Sequence, residues 1–268
     1  MSALAPVRHY ARIYRRLQAQ YIKSRLQYRA DFVVASFGMV VTTVVTIVLF
    51  WVLFRSVPDI AGWTFDELLF IYGFYLLAIS PMQVLFDAMW GLRMDVTEGS
   101  FIKYYFRPLN MLFYYVSERF DLKGISQVVI GVVVLVTASA RLDLEWDLGS
   151  VLLLVGVLIG ASLVQIGIMI TAASMAFWMT DSWPVLSFAW RLREFAPYPI
   201  TIMSGFMRLL LTYVLPVAFI AFYPASRFVR SGDVPWQAAI APLVGVAAFV
   251  GSYRVWRAGT DRWSGTGS

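Results

Sequence analysis

Several stretches of this chain are apolar for about 20 residues in succession, the length a helix needs to cross the hydrocarbon of a bilayer. That feature directs the chain toward a bundle of membrane-spanning helices. Only 14% of the residues are charged and the mean hydropathy is +0.70, whereas a soluble domain carries about 25% charged residues. Six spans are expected, over 32–54, 66–90, 122–140, 150–178, 204–223 and 236–256. The expected fold class is therefore an all-α polytopic membrane protein forming a single transmembrane domain over 1–268. Residues 183–203 carry Arg191, Arg193, Glu194, Pro197 and Pro199. They read as a helix on the cytoplasmic surface followed by a break, not as a seventh span.

Positive charge sets orientation, because Lys and Arg accumulate on the cytoplasmic side. With both termini in the cytoplasm, eighteen of the 22 Lys and Arg fall on that side. Arg55, Arg141, Arg227 and Arg230 remain outside, and the outer loop holds Asp143, Glu145 and Asp147. The net charge of +6 thus follows from the sidedness of a membrane protein, and no nucleic-acid partner is expected. Residues 8–29 read as an amphipathic helix. Tyr10, Tyr14, Leu17, Tyr21 and Tyr28 share a stripe, opposite Arg8, Arg12, Arg15, Arg16 and Lys23. Such a helix lies in the lipid interface, rings among headgroups and cations toward water.

Residues 91–123 form a polar, basic interruption too long and too patterned for a simple turn. Thr97 is placed to cap a short helix over 96–107 that ends before Pro108, since the residue before proline resists the helical region. At helical spacing Phe101, Ile102, Tyr105 and Phe106 share an apolar side, while Lys103, Tyr104 and Arg107 face elsewhere. Asn110 is placed to cap a second segment leading into the third span. Exposed aromatics in such a position need lipid or a protein partner to cover them, and interfaces favour Tyr, Phe and Arg.

Gly99, followed by Arg107-Pro108-Leu109-Asn110 and Leu112, resembles the first cytoplasmic loop of ABC-2 type permeases, the six-span membrane subunits of bacterial ATP-driven exporters. Gly259, Arg262, Trp263, Ser264, Gly267 and Ser268 resemble the tail of a bacterial subgroup of similar length. The chain departs from the loop pattern at Ile102, where an acidic residue is common, and at Met111, where proline is common. The resemblance implies a location in the bacterial cytoplasmic (inner) membrane. It also implies a pair of permeases, either two copies of this chain or this chain with a related one. A separate cytoplasmic P-loop ATPase would dock on the loop as on a lever. Glu98, Phe101, Ile102, Tyr105 and Arg107 are the expected docking residues.

The span over 150–178 carries a stripe of small residues that includes Gly156, Gly160, Gly167, Thr171 and Ser174. Small residues let helix backbones approach in lipid, so Gly156, Gly160 and Gly167 are expected in helix packing or a dimer interface. Gln83 and Gln165, with Thr171 and Ser174, are candidates for a polar translocation wall. Span centres nearly free of charge suit an amphiphilic or hydrophobic cargo. Pro216 is expected to kink the fifth span or to break it into a re-entrant piece.

No G-x-x-x-x-G-K-[ST] motif occurs, so ATP and magnesium are expected on the partner and no cofactor on this chain. There is no cysteine, and the one histidine, His9, lies near the start. Neither a metal site nor a catalytic centre is expected. The other reading these features allow is a membrane scaffold that docks a soluble partner without moving cargo.

Overall fold

The computed structural model describes residues 29–57, 59–119, 121, 123–230 and 234–263. The amphipathic segment expected over 8–29 lies outside the described residues except for Arg29, as do Ser264, Gly267 and Ser268 of the tail. The described residues form helices and connecting turns, with a single isolated bridge between Ile60 and Trp63.

Among the described residues five helices are long and apolar enough to cross a membrane. They are α1 (Arg29–Ser56), α2 (Phe65–Leu85), α5 (Lys123–Arg141), α6 (Leu148–Ser174) and α10 (Trp236–Arg262). Between them come α3 (Leu92–Thr97), α4 (Met111–Ser117), α7 (Trp183–Leu192), α8 (Gly205–Leu209) and α9 (Phe222–Val229). The chain is an all-α polytopic membrane protein, as its apolar runs predict.

α2 is the central helix. Thr64 opens it with a capping box: the Glu67 carboxylate accepts from the Thr64 N–H at 2.7 Å, and the Thr64 hydroxyl accepts from the Glu67 N–H. Phe70, Ile71, Phe74 and Ala78 are fully buried along it. α5 packs against α2 through glycine. A Cβ on Gly73 would stand 2.7 Å from the Leu135 backbone nitrogen, so only glycine admits this approach. α6 and α10 run side by side in the same direction, Gly160 meeting Pro242 and Gly167 meeting Ala248. α1 is the least embedded of the long helices, with most of its apolar surface exposed.

The fifth crossing differs from expectation. Residues 204–223 do not form a span; residues 183–202 run the length of α2 instead. Trp183 and Trp190 lie against Trp90, just beyond the C-terminal end of α2. Tyr198 meets Phe50 edge-on at 5.7 Å. Thr201 accepts from the Trp63 indole N–H at 3.2 Å, just before the N-terminal end of α2. The segment accommodates its prolines by breaking into α7 and two short 3-10 turns, Arg193–Phe195 and Ile200–Ile202. Arg193 accordingly lies in the bundle interior, not on a surface helix, and Arg208 lies at the Trp63 end, its guanidinium donating to the Thr201 carbonyl.

The apolar stretch after it is a hairpin. α8 passes into a π-turn over Leu210–Val214, Pro216 stops the helix, and a 3-10 turn over Val217–Phe219 leads back to α9. Proline lacks the N–H that the next helical hydrogen bond needs. The tip, Leu215–Pro216, borders Gly167 and Thr171 well along α6, while α9 returns to the Trp63 end, where Phe222 meets Trp63 at 5.3 Å. Thr212 and Tyr223 hydroxyls join the two limbs at 3.0 Å. The Trp63 end is closed by ion pairs from Arg230 to Glu67 at 3.2 Å and from Arg141 to Asp66 at 2.6 Å. Pro216 therefore folds the stretch expected as the fifth span, 204–223, back on itself, and among the described residues five long helices stand with the broken crossing of 183–202 and this hairpin.

Candidate functional site

At the other end of the bundle, residues 86–119 form a knot of short helices. The expected helix over 96–107 is not continuous. α3 ends at Thr97, whose hydroxyl donates to the Arg93 carbonyl at 2.8 Å, so Thr97 closes a helix instead of opening one. Gly99 then takes φ +75°, a left-handed conformation that glycine adopts without a Cβ clash. The chain reverses there and continues as a 3-10 turn over Ser100–Tyr104. Asn110 does cap α4, accepting from the Phe113 N–H at 3.0 Å, and its amide donates to the Tyr253 hydroxyl on α10.

The turn type decides which side chains face inward. A 3-10 turn repeats every three residues, which pairs Phe101 with Tyr104 and leaves Ile102, Phe106 and Arg107 outside. Phe101 is fully buried, and its ring lies 5.1–6.0 Å from those of Tyr104, Tyr105, Tyr115, Phe177, Trp256 and Trp263. These rings come from the loop, α4, the end of α6 and the end of α10. Phe101 is thus a hub joining four elements, which corrects its placement on an exposed docking side. Tyr105 is half committed: it stacks on Trp263 at 5.7 Å and donates its hydroxyl to the Thr260 carbonyl. Glu98, Ile102 and Arg107 are exposed as expected. Phe106, absent from the expected docking set, is the most exposed ring among the described residues, at 81%.

Two of the tail residues, Gly259 and Trp263, are held by contacts around the hub. A Cβ on Gly259 would stand 2.4 Å from the Phe177 ring, and Trp263 covers the hub from the end of α10. Gly259 and Trp263 lock the last helix onto the loop.

A ring of charge surrounds the hub. The Tyr104 hydroxyl donates to Glu118 at 2.5 Å, and Lys103 pairs with the same carboxylate at 3.1 Å. The Tyr115 hydroxyl lies 2.8 Å from Asp95, which Arg119 approaches at 3.7 Å. Burial, then the neighbouring carboxylates, push both phenols well above their ordinary range. They remain neutral donors throughout the physiological range. Burial alone would raise Glu118, but the Tyr104 and Lys103 hydrogen bonds outweigh it and hold the carboxyl below its usual value. A carboxyl depressed in the folded state contributes stability above its unfolded pKa and loses it as pH falls through the folded one. The melting temperature of the wild type should therefore fall below about pH 4 more steeply than that of E118Q, as a pH series of thermal unfolding would read.

The remaining candidates divide. Gly160 and Gly167 pack against α10 within the chain, whereas Gly156 is exposed, with nothing near its Cβ position. Gln83 borders a polar cavity between α1, α2, α5 and the broken crossing, and Gln127, which the sequence reading passed over, lines the same cavity. Gln165 is fully buried in the packed interior. Thr171 borders an apolar groove under the hairpin tip, and Ser174 turns its hydroxyl back to the Ile170 carbonyl. Among the described residues no group of three His, Cys, Asp or Glu could hold a metal ion.

A family model described as ABC-2 family transporter protein matches residues 40–267. No curated protein and no solved structure matches the chain. The matched region contains the hub loop, every long helix except the start of α1, the hairpin and the tail, and the chain belongs to the ABC-2 transporter family.

Proposed function

We propose that this chain is the permease subunit of an ATP-driven exporter, energised by a separate cytoplasmic P-loop ATPase that docks on the exposed face of residues 98–107. The Phe101 hub carries this reading. It ties an exposed patch of Glu98, Ile102, Phe106 and Arg107 to the ends of α6 and α10. A push on that patch reaches two long helices through packed rings, and close-packed interiors transmit displacement with little give. Both termini lie in the cytoplasm of a bacterium in this reading, and the inner membrane holds the permease as a pair with a second copy or a related chain. Gly156, exposed on α6, belongs to that pairing surface. ATP and magnesium sit on the partner. The cargo in this reading is amphiphilic or hydrophobic.

The test is co-purification from cells expressing the natural neighbours of this chain. The double variant I102A/F106A should keep its thermal stability, because both side chains are exposed. It should lose the ATPase, with affinity reduced roughly tenfold or more as for truncation of interface anchors. Retention of a P-loop ATPase at wild-type level would place the docking surface elsewhere. Capture of a partner whose ATP turnover ignores cargo would instead support a scaffold.

A further inference from the structure

The polar cavity is large enough for a ligand and holds a cation with no ion-pair partner among the described residues. Its volume is about 540 Å³, within the range of small-molecule sites. Arg193 enters it from the broken crossing, level with Tyr75 midway along α2. The Arg193 guanidinium rests over the Trp190 ring, 3.3 Å from its centroid. Nε and Nη1 are buried without a hydrogen-bond partner, and no ion pair reaches Arg193 among the described residues. Glu194 also lines the cavity but is exposed and makes no ion pair within 4.0 Å of Arg193. Ionisable side chains inside a membrane bundle are costly, and they are kept where they face a polar cavity or a partner. A cation–π contact offsets part of that cost and satisfies none of the donors.

The rest of the lining shows what would complete the site. Gln127 is buried with its side-chain oxygen unpartnered, and Gln83, Thr43 and Tyr75 add polar atoms on the other walls. Met39 and Ile79 supply apolar surface beside α1, the least embedded helix. A fork of unpartnered guanidinium donors, a polar surround and an apolar exit fit a headgroup with a tail.

We propose that this cavity binds the anionic headgroup of a single-chain amphiphile, with Arg193 as the counter-ion and the tail leaving along α1. That the ligand is the transported cargo rests on the function proposed above; that the site binds it does not. The test is therefore made without the ATPase, on the purified full-length chain in maltoside micelles. Dodecyl phosphate, dodecyltrimethylammonium and inorganic phosphate are titrated and binding is read by native mass spectrometry. Dodecyl phosphate should bind one site per chain, dodecyltrimethylammonium should not compete, and inorganic phosphate should compete poorly because it lacks a tail. R193Q should weaken dodecyl phosphate roughly tenfold or more, the effect of losing hydrogen bonds to a charged group. R191Q, which removes the same charge from an exposed position, should not.

The melting temperature separates binding from structure. Removing an unpaired interior charge should leave it unchanged or raise it, whereas a structural partner would lower it. Should R193Q not fold, R193K carries the test, since it keeps the charge but loses the guanidinium fork. It should bind dodecyl phosphate more weakly at unchanged melting temperature. Equal affinity in the wild type and the folded Arg193 variants overturns the proposal, as does equal loss in R191Q. Tighter binding of inorganic phosphate than of dodecyl phosphate would also overturn it, by making the ligand a free anion. Because no ATPase is present, these outcomes stand whichever way the co-purification falls.

Discussion

Phe101→Ala should unfold the loop end rather than uncouple it. The ring is fully buried and surrounded by six others. Truncating a buried phenylalanine costs about 3–5 kcal/mol from lost transfer and the cavity left behind. Each aromatic contact adds about 0.5–1.5 kcal/mol beyond burial, so the upper part of that range applies. In a chain of this size such a loss corresponds to a fall in melting temperature on the order of 10 °C. F101L, which refills much of the volume, should lie between F101A and wild type. I102A, on the exposed side of the same turn, should stay within about 0.5 kcal/mol of wild type. Differential scanning of the three variants in one detergent reads the order directly. An F101A protein that melts with the wild type yet loses its ATPase would show that Phe101 faces the partner, and the hub would have to be abandoned.

The same residue shows where sequence reasoning reaches and where it stops. Asn110 was legible as a cap because its side chain bonds its own near neighbour. Phe101 was not, because its side depended on whether residues 100–104 wind with a three- or a four-residue hydrogen bond. An α-helical period groups Phe101 with Tyr105; the 3-10 turn groups it with Tyr104. Gly99 held a clue, since a glycine between Glu98 and Ser100 is what a left-handed reversal needs. The long helices were legible from apolar length alone. The fifth crossing was not, because hydropathy reports which residues leave water and not which segment spans. Residues 204–223 are apolar but are folded back at Pro216. Residues 183–202 carry Arg193, yet a polar cavity built by three other helices receives it. Neither partner surface exists in the local sequence. Tail residues Gly259 and Trp263 stood out as a resemblance, and only the fold supplies their reason, contact with Phe177 and Phe101.

Gly245→Leu should separate α6 from α10 and leave little well-folded protein. A Cβ on Gly245 would stand 2.1 Å from the carbonyl oxygen of Gly160, and one on Gly160 would stand 2.6 Å from the Pro242 Cα. Both obstacles are backbone, which cannot rotate away as a side-chain end can. In lipid no hydrophobic force pulls helices together; they associate through close contact of small residues. Forcing the axes apart therefore removes the contact that holds this pair, and overpacking in a dense interior costs about 1–3 kcal/mol or more. G160L should behave in the same way, because the two glycines face each other. Gly156, one turn earlier on α6, is exposed with nothing within 4 Å of its Cβ position. G156L should therefore leave the chain's melting temperature unchanged. Size-exclusion profiles and thermal midpoints compare the three variants, and co-purification of two differently tagged copies tests pairing. Should G156L melt with the wild type but abolish recovery of the second tag, the front half of the small-residue stripe belongs to the contact between chains and the rear half to the contact with α10. Should G245L melt with the wild type, the close crossing of α6 and α10 is not what holds the bundle, and the stripe must serve another surface.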